Sequence, residues 1–177
     1  MFHSFLLQSI YFSLPFFGGQ HPIPQLVHSS QRDGGLAELY RRAARFQCPS
    51  VLVVQSGEHV FGAYLSHPLR DDSIGAGSPS CFLFSTTLDL KFTLHGHNPV
   101  RRKPNTAPSA FSASENKIEF GNGDLCILGS GGRVSGGSSD LEGCFGVGLG
   151  RNTVTAKCFL AGSPQFNIDL LELWAIQ

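Results

Sequence analysis

The chain has 177 residues, 41% of them hydrophobic and 15% charged, and its thirteen basic residues balance thirteen acidic ones. That length suits one domain of roughly 100–200 residues, and the neutral balance gives no electrostatic case for a nucleic-acid or anionic-membrane partner. Twenty-one glycines and fifteen phenylalanines suit short strands and tight turns better than a helical bundle, because Gly costs about 1 kcal/mol relative to Ala inside a helix.

Met1–Phe17 reads MFHSFLLQSIYFSLPFF. It has no positive amino-terminal region, is interrupted by Gln8 and several hydroxyl side chains, and shows no small-x-small site before Gly18, so it does not fit a secretory signal. It is also too short for a bilayer span, which needs about 20 mainly apolar residues. We read residues 1–25 as a peripheral segment or fragment edge, and 26–177 as a single domain. Within the first stretch, QHPIPQ (20–25) is an extended connector, since proline pushes the residue before it toward extended geometry.

RDGGLAELYRRAARFQ is the one convincing helix. Leu36, Leu39, Tyr40, Ala43 and Phe46 share a face at helical spacing. Asp33 is an N-cap or first-turn acid, Arg41, Arg42 and Arg45 crowd the carboxyl end, and Cys48-Pro49 closes it. Val51–Val54 and His59–Leu65 then read as a hairpin around Gly57. Leu69–Ser80 is a polar loop. Cys81–Phe84 and Leu90–Leu94 are strands, and 98–116 is a surface loop without fixed structure. Strands resume at Lys117–Phe120 and Leu125–Leu128 across the Gly121-Asn122-Gly123 turn. Gly129–Gly137 reads as a turning connection, the stretch to Pro164 is poorly patterned, and Phe166–Trp174 is one closing strand. The fold class is α+β and β-rich, a two-layer antiparallel β-sandwich with flanking short helices.

The chemical signatures are thin. Cys48, Cys81, Cys126, Cys144 and Cys158 are odd in number and irregularly spaced, with no C-x-x-C pair, so neither a zinc ribbon nor a disulfide framework is indicated. Gly129-Ser130-Gly131-Gly132 follows a strand, but Val134 stands where a dinucleotide fingerprint needs glycine and no Gly-Lys-Ser/Thr occurs. There is no Gly-x-Ser-x-Gly elbow. His95-Gly96-His97 is the only close histidine pair and has no acidic or thiol ligand within a few residues. Asp71-Asp72 and Glu115/Glu119 read as solvated charge, and Arg101-Arg102-Lys103 as a solubilising loop. No catalytic, cofactor-binding or metal-binding residue follows from spacing, which favours an interaction domain.

The order of segments carries more. HSSQRDGGLAELYRRA, PSVLVVQSGEHVFGAYLSHP, a glycine loop leading to CFLF, IEFGNGDLCILGSGG, Asp140-Leu141 and a final LLELW together resemble the TLDc domain family. Phe61, Gly62, Ala63, Tyr64 and Ser66 match its Val-Phe-Gly-Ala-Phe/Tyr-x-Ser motif. Phe82 and Phe84 match its Phe-Leu-Phe, Gly129 and Gly131 its glycine-rich strand end, and Asp140 and Leu141 its Asp-Leu. Glu172 and Trp174 match its closing Leu-Glu-Val-Trp. The chain departs from the pattern where a glutamate should precede Phe-Leu-Phe (Ser78-Pro79-Ser80 stand there), near Pro24 in place of a tryptophan, at Ala175 in place of glycine, and over Gly143–Ala161.

The resemblance implies a β-sandwich, a role in resistance to oxidative stress, and binding to the vacuolar proton-pumping ATPase or a trafficking complex. It implies an intracellular, cytoplasmic setting, mitochondrial or vacuole-associated in some cases, with at most peripheral membrane association through the complex. No catalysis, cofactor or nucleic-acid partner is expected. Phe61, Phe82, Phe84 and Trp174 are expected in the core between two layers of strands, and Gly62 where a side chain would not fit. The alternative is a redox-sensing or peroxide-reactive protein, with Cys48 near Arg45 as its thiol.

Overall fold

The computed structural model describes residues 23–70, 80–94, 110–141, 143–145 and 154–177. The β-branched run after Pro49 forms β2 (Ser50–Ser56), which folds back on β3 (His59–Leu65) through Gly57-Glu58. Gly57 adopts φ +56° there, the left-handed geometry that a two-residue hairpin turn requires. β4 (Phe82–Ser85) and β5 (Leu90–Thr93) extend this sheet on one side. β1 (Pro24–Ser29) and β11 (Leu170–Ile176) extend it on the other. The order is β1-β11-β2-β3-β4-β5, antiparallel throughout, so the last strand sits between the first two.

The second sheet has the order β10-β9-β8-β7-β6. Its strands are β6 (Phe111–Ser114), β7 (Lys117–Phe120), β8 (Leu125–Ser130), β9 (Arg133–Ser139) and β10 (Gln165–Asn167). Leu52, Val54, Phe61 and Leu83 of the first sheet meet Phe111, Ile118, Phe120 and Ile127 of the second in one apolar core. Successive side chains of a strand point to opposite faces, so Val51 and Val53 lie on the other side of the first sheet from Leu52 and Val54. The two-layer sandwich is present.

Several elements differ from their sequence reading. The single helix is two: α1 (Ser30–Asp33) and α2 (Leu36–Ala43). They part at Gly34, φ +97°, and a Cβ on Gly35 would lie 2.6 Å from a backbone carbon of Gly132. The break therefore lets the chain approach the β8–β9 turn. Asp33 does not cap α2, whose N-cap is Gly35. Its carboxylate instead accepts the Ser29 N–H at 3.0 Å and two bonds from the Arg32 guanidinium. α2 ends at Ala43, before Cys48-Pro49, although Phe46 still packs against the core.

Pro24 and Gln25 are not connector: they open β1 opposite Ile176 and Ala175. Of the 98–116 loop, 98–109 lie outside the described residues, but Phe111–Ser114 form β6 against β7. Gly129–Gly137 is a hairpin, with β8 and β9 joined by Gly131-Gly132 at φ +57° and +75°. The poorly patterned stretch also contains α3 (Val154–Cys158). The closing strand is two strands in different sheets. Phe166 pairs with Gly137 in the second sheet, and Leu170 with Gln55 in the first. Asp169 marks the crossing, its N–H donating to the Gln55 carbonyl at 2.9 Å and its carboxylate accepting the Gly57 N–H at 2.7 Å.

Candidate interaction surfaces and tested reactive groups

The motif residues divide by face. Phe61 and Ala63 point into the sandwich, Phe61 meeting Phe166 edge to face at 5.2 Å. Tyr64, Phe82 and Phe84 lie on the outer face of the first sheet, Tyr64 stacked on Phe82 at 5.1 Å. This corrects the expectation that Phe82, Phe84 and Trp174 fill the space between the sheets. They belong to a second apolar cluster, and Trp174 is half-buried at its margin. β4 alternates, and Leu83 is the residue that turns inward. At Gly62 a Cβ would fall 1.9 Å from the Leu52 carbonyl oxygen and 2.9 Å from the Phe84 ring. A side chain does not fit.

Glu172 is buried on β11, and its carboxylate accepts the Trp174 indole N–H at 3.1 Å. Gly129 lets Leu36 of α2 come within 3.1 Å of where a Cβ would stand, and Gly131 turns the β8–β9 hairpin. Asp140 donates its N–H to the Asp124 carbonyl at 3.3 Å, and Leu141 is fully buried at φ +47°. Ser66 places its hydroxyl 3.2 Å from the Cys81 sulfur and 3.0 Å from His67 Nδ1. These motif residues serve packing, turns and local hydrogen bonds.

All five cysteines are free thiols. Burial pushes the Cys126 and Cys144 thiols up from their ordinary value, which keeps them protonated. Cys48 lies beyond the end of α2, partly buried against the main core. Among the described residues no cluster of three His, Cys, Asp or Glu is placed to hold a metal. His95, His97, Asp71, Asp72 and Arg101–Lys103 lie outside the described residues. Glu119 pairs with Lys117, while Glu115 lies exposed in the β6–β7 turn.

Two buried titratable groups escaped the sequence reading. Asp124 follows the Gly121-Asn122-Gly123 turn, fully buried, and its carboxylate accepts the N–H groups of Gly143, Cys144 and Phe145 at 2.5, 2.5 and 2.8 Å. Burial raises it to about 6, although the three N–H donors and the neighbouring Asp140 charge act in opposite senses, the donors lowering it. A Cβ on Gly121 would lie 2.1 Å from Asp124 Oδ2, and one on Gly143 would lie 2.0 Å from the Gly121 carbonyl oxygen. Glycine at both positions lets the loop wrap the carboxylate. His28 on β1 is fully buried, and neither ring nitrogen has a hydrogen-bond partner of proper geometry. Burial lowers its pKa; Asp33 and the Gly34 backbone pull the other way, and Arg42 adds to the lowering. The signals available were small: a lone acid after Gly-Asn-Gly, and a histidine inside an apolar strand.

Two open grooves mark the surface. One, about 700 Å³, lies where the β2–β3 turn meets the second sheet, lined by Ser56, Gly57, Ser138, Gln165, Asn167 and Asp169 among others. The other, about 730 Å³, runs along α2 and is lined by Tyr40, Arg41, Arg70 and Glu115. Beside it Arg41 and Arg42 bind Glu38, at 2.5 and 2.6 Å, and hold that carboxyl down to about 2. The first groove offers hydroxyl and amide groups beside one carboxylate, Asp169, and the second mixed charge.

No curated protein matches the chain significantly. The family model of the TLDc domain matches residues 2–177. With the sandwich and the placement of the motif residues, that match covers nearly the whole polypeptide: the chain belongs to the TLDc domain family.

Proposed function

We propose that this TLDc domain acts without catalysis, as an interaction module in resistance to oxidative stress that binds and regulates the vacuolar proton-pumping ATPase. Family membership supports the general connection with oxidative stress; the pump is the finer reading that the family resemblance suggests. The observation that carries the non-catalytic part is the use of the motif residues. Phe61 and Ala63 fill the core, Tyr64 and Phe84 pack the outer face, and Gly62 and Gly129 permit close approach. Recognition then falls to loops and edges held by a rigid scaffold.

The redox alternative predicts thiol-dependent turnover. We expect the purified chain to consume hydrogen peroxide no faster than an equal concentration of free cysteine, and Cys48→Ser to leave that rate unchanged. Rapid turnover abolished by Cys48→Ser overturns the reading. For the positive part, the purified chain is expected to co-sediment with purified vacuolar ATPase; failure to do so at micromolar concentration removes the pump as partner while leaving the family assignment intact.

A further inference from the structure

An open sheet ends in strands whose outer N–H and C=O groups have no ladder partner, and proteins blunt such edges with proline, lysine or a bulge. The first sheet does so at both ends. β1 carries Pro24 and a register shift between Leu26 and His28, and β5 carries Lys91. β10, an edge of the second sheet, has none of these. It reads Gln165-Phe166-Asn167 and pairs with β9 in unbroken register. The Ser139 N–H donates to the Pro164 carbonyl at 2.9 Å. Bonds to one neighbour recur at every second residue of an antiparallel strand, so Phe166 also bonds toward β9, while the backbone groups of Gln165 and Asn167 face the free edge. The Gln165 carbonyl accepts the Ser163 hydroxyl. The Gln165 N–H and both backbone groups of Asn167 have no partner among the described residues.

The groove of about 700 Å³ lies along this strand, with Ser163, Gln165, Phe166, Asn167 and Asp169 in its wall. Its charge is one-sided. No lysine or arginine lines it, and Asp169 is exposed, one carboxylate oxygen on the Gly57 N–H at 2.7 Å and no cation paired with it among the described residues. Exposed Glu58 follows Gly57 in the same turn. We propose that β10 receives an extended segment of a partner protein, bearing lysine or arginine, as an additional strand. The segment's backbone bonds Gln165 and Asn167, and its cation lies against Asp169. In this mode of recognition main-chain bonds supply affinity, and side chains alternating along the added strand supply specificity. The edge gives the interaction module proposed above, on which it rests, a surface and a partner chemistry.

Random dodecapeptides displayed on phage and selected on the immobilised full chain test this without the pump. The selected sequences should carry Lys or Arg among β-branched residues, and a synthetic copy should slow amide exchange at Gln165 and Asn167 when bound. Gln165→Pro removes an outward N–H and leaves the bonds to β9 in place, so it should weaken that peptide about tenfold or more. Asn167→Lys sets a cation on the exposed edge and should weaken it to a similar degree. Exchange is read on the unaltered chain, so it decides where either variant fails to fold. Selection of no peptide, selection of peptides without a cation, protection confined to other strands, or unchanged affinity in both folded variants overturns the proposal. Each of those results leaves co-sedimentation with the pump to be judged by itself. A chain that binds peptides at β10 and not the pump keeps this site and loses that partner.

Discussion

At the scale of single residues, Gly62 and the two buried titratable groups carry the sharpest expectations. Gly62→Ala drives a methyl group into the Leu52 carbonyl of the neighbouring strand and against the Phe84 ring. Backbone cannot yield there as a flexible side chain would, so we expect a loss of about 2–4 kcal/mol in urea unfolding. Asp124 titrates at about 6 in the fold, above its ordinary 3.8. A raised carboxyl favours folding fully below the unfolded value, and that contribution fades as pH rises through the folded one. Asp124 should therefore lower stability by about 2 kcal/mol as pH rises from 4 to 6, and Asp124→Asn should abolish that slope. His28 works in the opposite sense. Its folded pKa is depressed, so its contribution is present above about 6.5 and is lost as pH falls through the folded value. Because both ring nitrogens are orphaned, an apolar replacement removes a desolvation cost. His28→Leu should match or exceed wild-type stability at pH 7 and remove the acid-side loss, as thermal melts between pH 5 and 7 would show.

At the scale of elements, α2 is eight residues long, shorter than the roughly 12–15 at which isolated helices become even marginal in water. Packing holds it. Leu39 is fully buried, so Leu39→Ala should cost about 2–5 kcal/mol and weaken the far-ultraviolet helical signal before the strands unfold. The elements legible in the sequence were those whose side chains state their period: the β2–β3 hairpin, β7, β8 and the apolar face of α2. The illegible ones are made by partners distant in sequence. β9 reads as Arg-Val-Ser-Gly-Gly-Ser-Ser, a loop by composition. Yet a Cβ on Gly137 would lie 2.4 Å from the Cys126 carbonyl and 2.7 Å from the Phe166 ring. Gly137 makes room for another strand's aromatic side chain, which no local pattern announces. The split of the last strand has the same origin, since Asp169 is fixed by Gln55 and Gly57 across the chain. Burial of Phe82 and Phe84 was legible, but not the face: strand alternation says which residues go together, not on which side the second sheet lies.

At the scale of the whole molecule, the sandwich is a packed scaffold, and the proposed interaction role falls to its loops and edges. Two apolar clusters, one on each side of the first sheet, fix that sheet, and the open grooves lie at its β2–β3 turn and along α2. A binding module needs such a frame, and it asks no unusual chemistry of the side chains. The most direct check is a binding titration of the purified chain against intact, purified vacuolar ATPase, run beside the Cys48→Ser variant. The account predicts saturable binding at a fixed stoichiometry, identical for both chains and accompanied by a change in the pump's rate of ATP hydrolysis. Absence of binding, or binding that disappears with the Cys48 thiol, would contradict it.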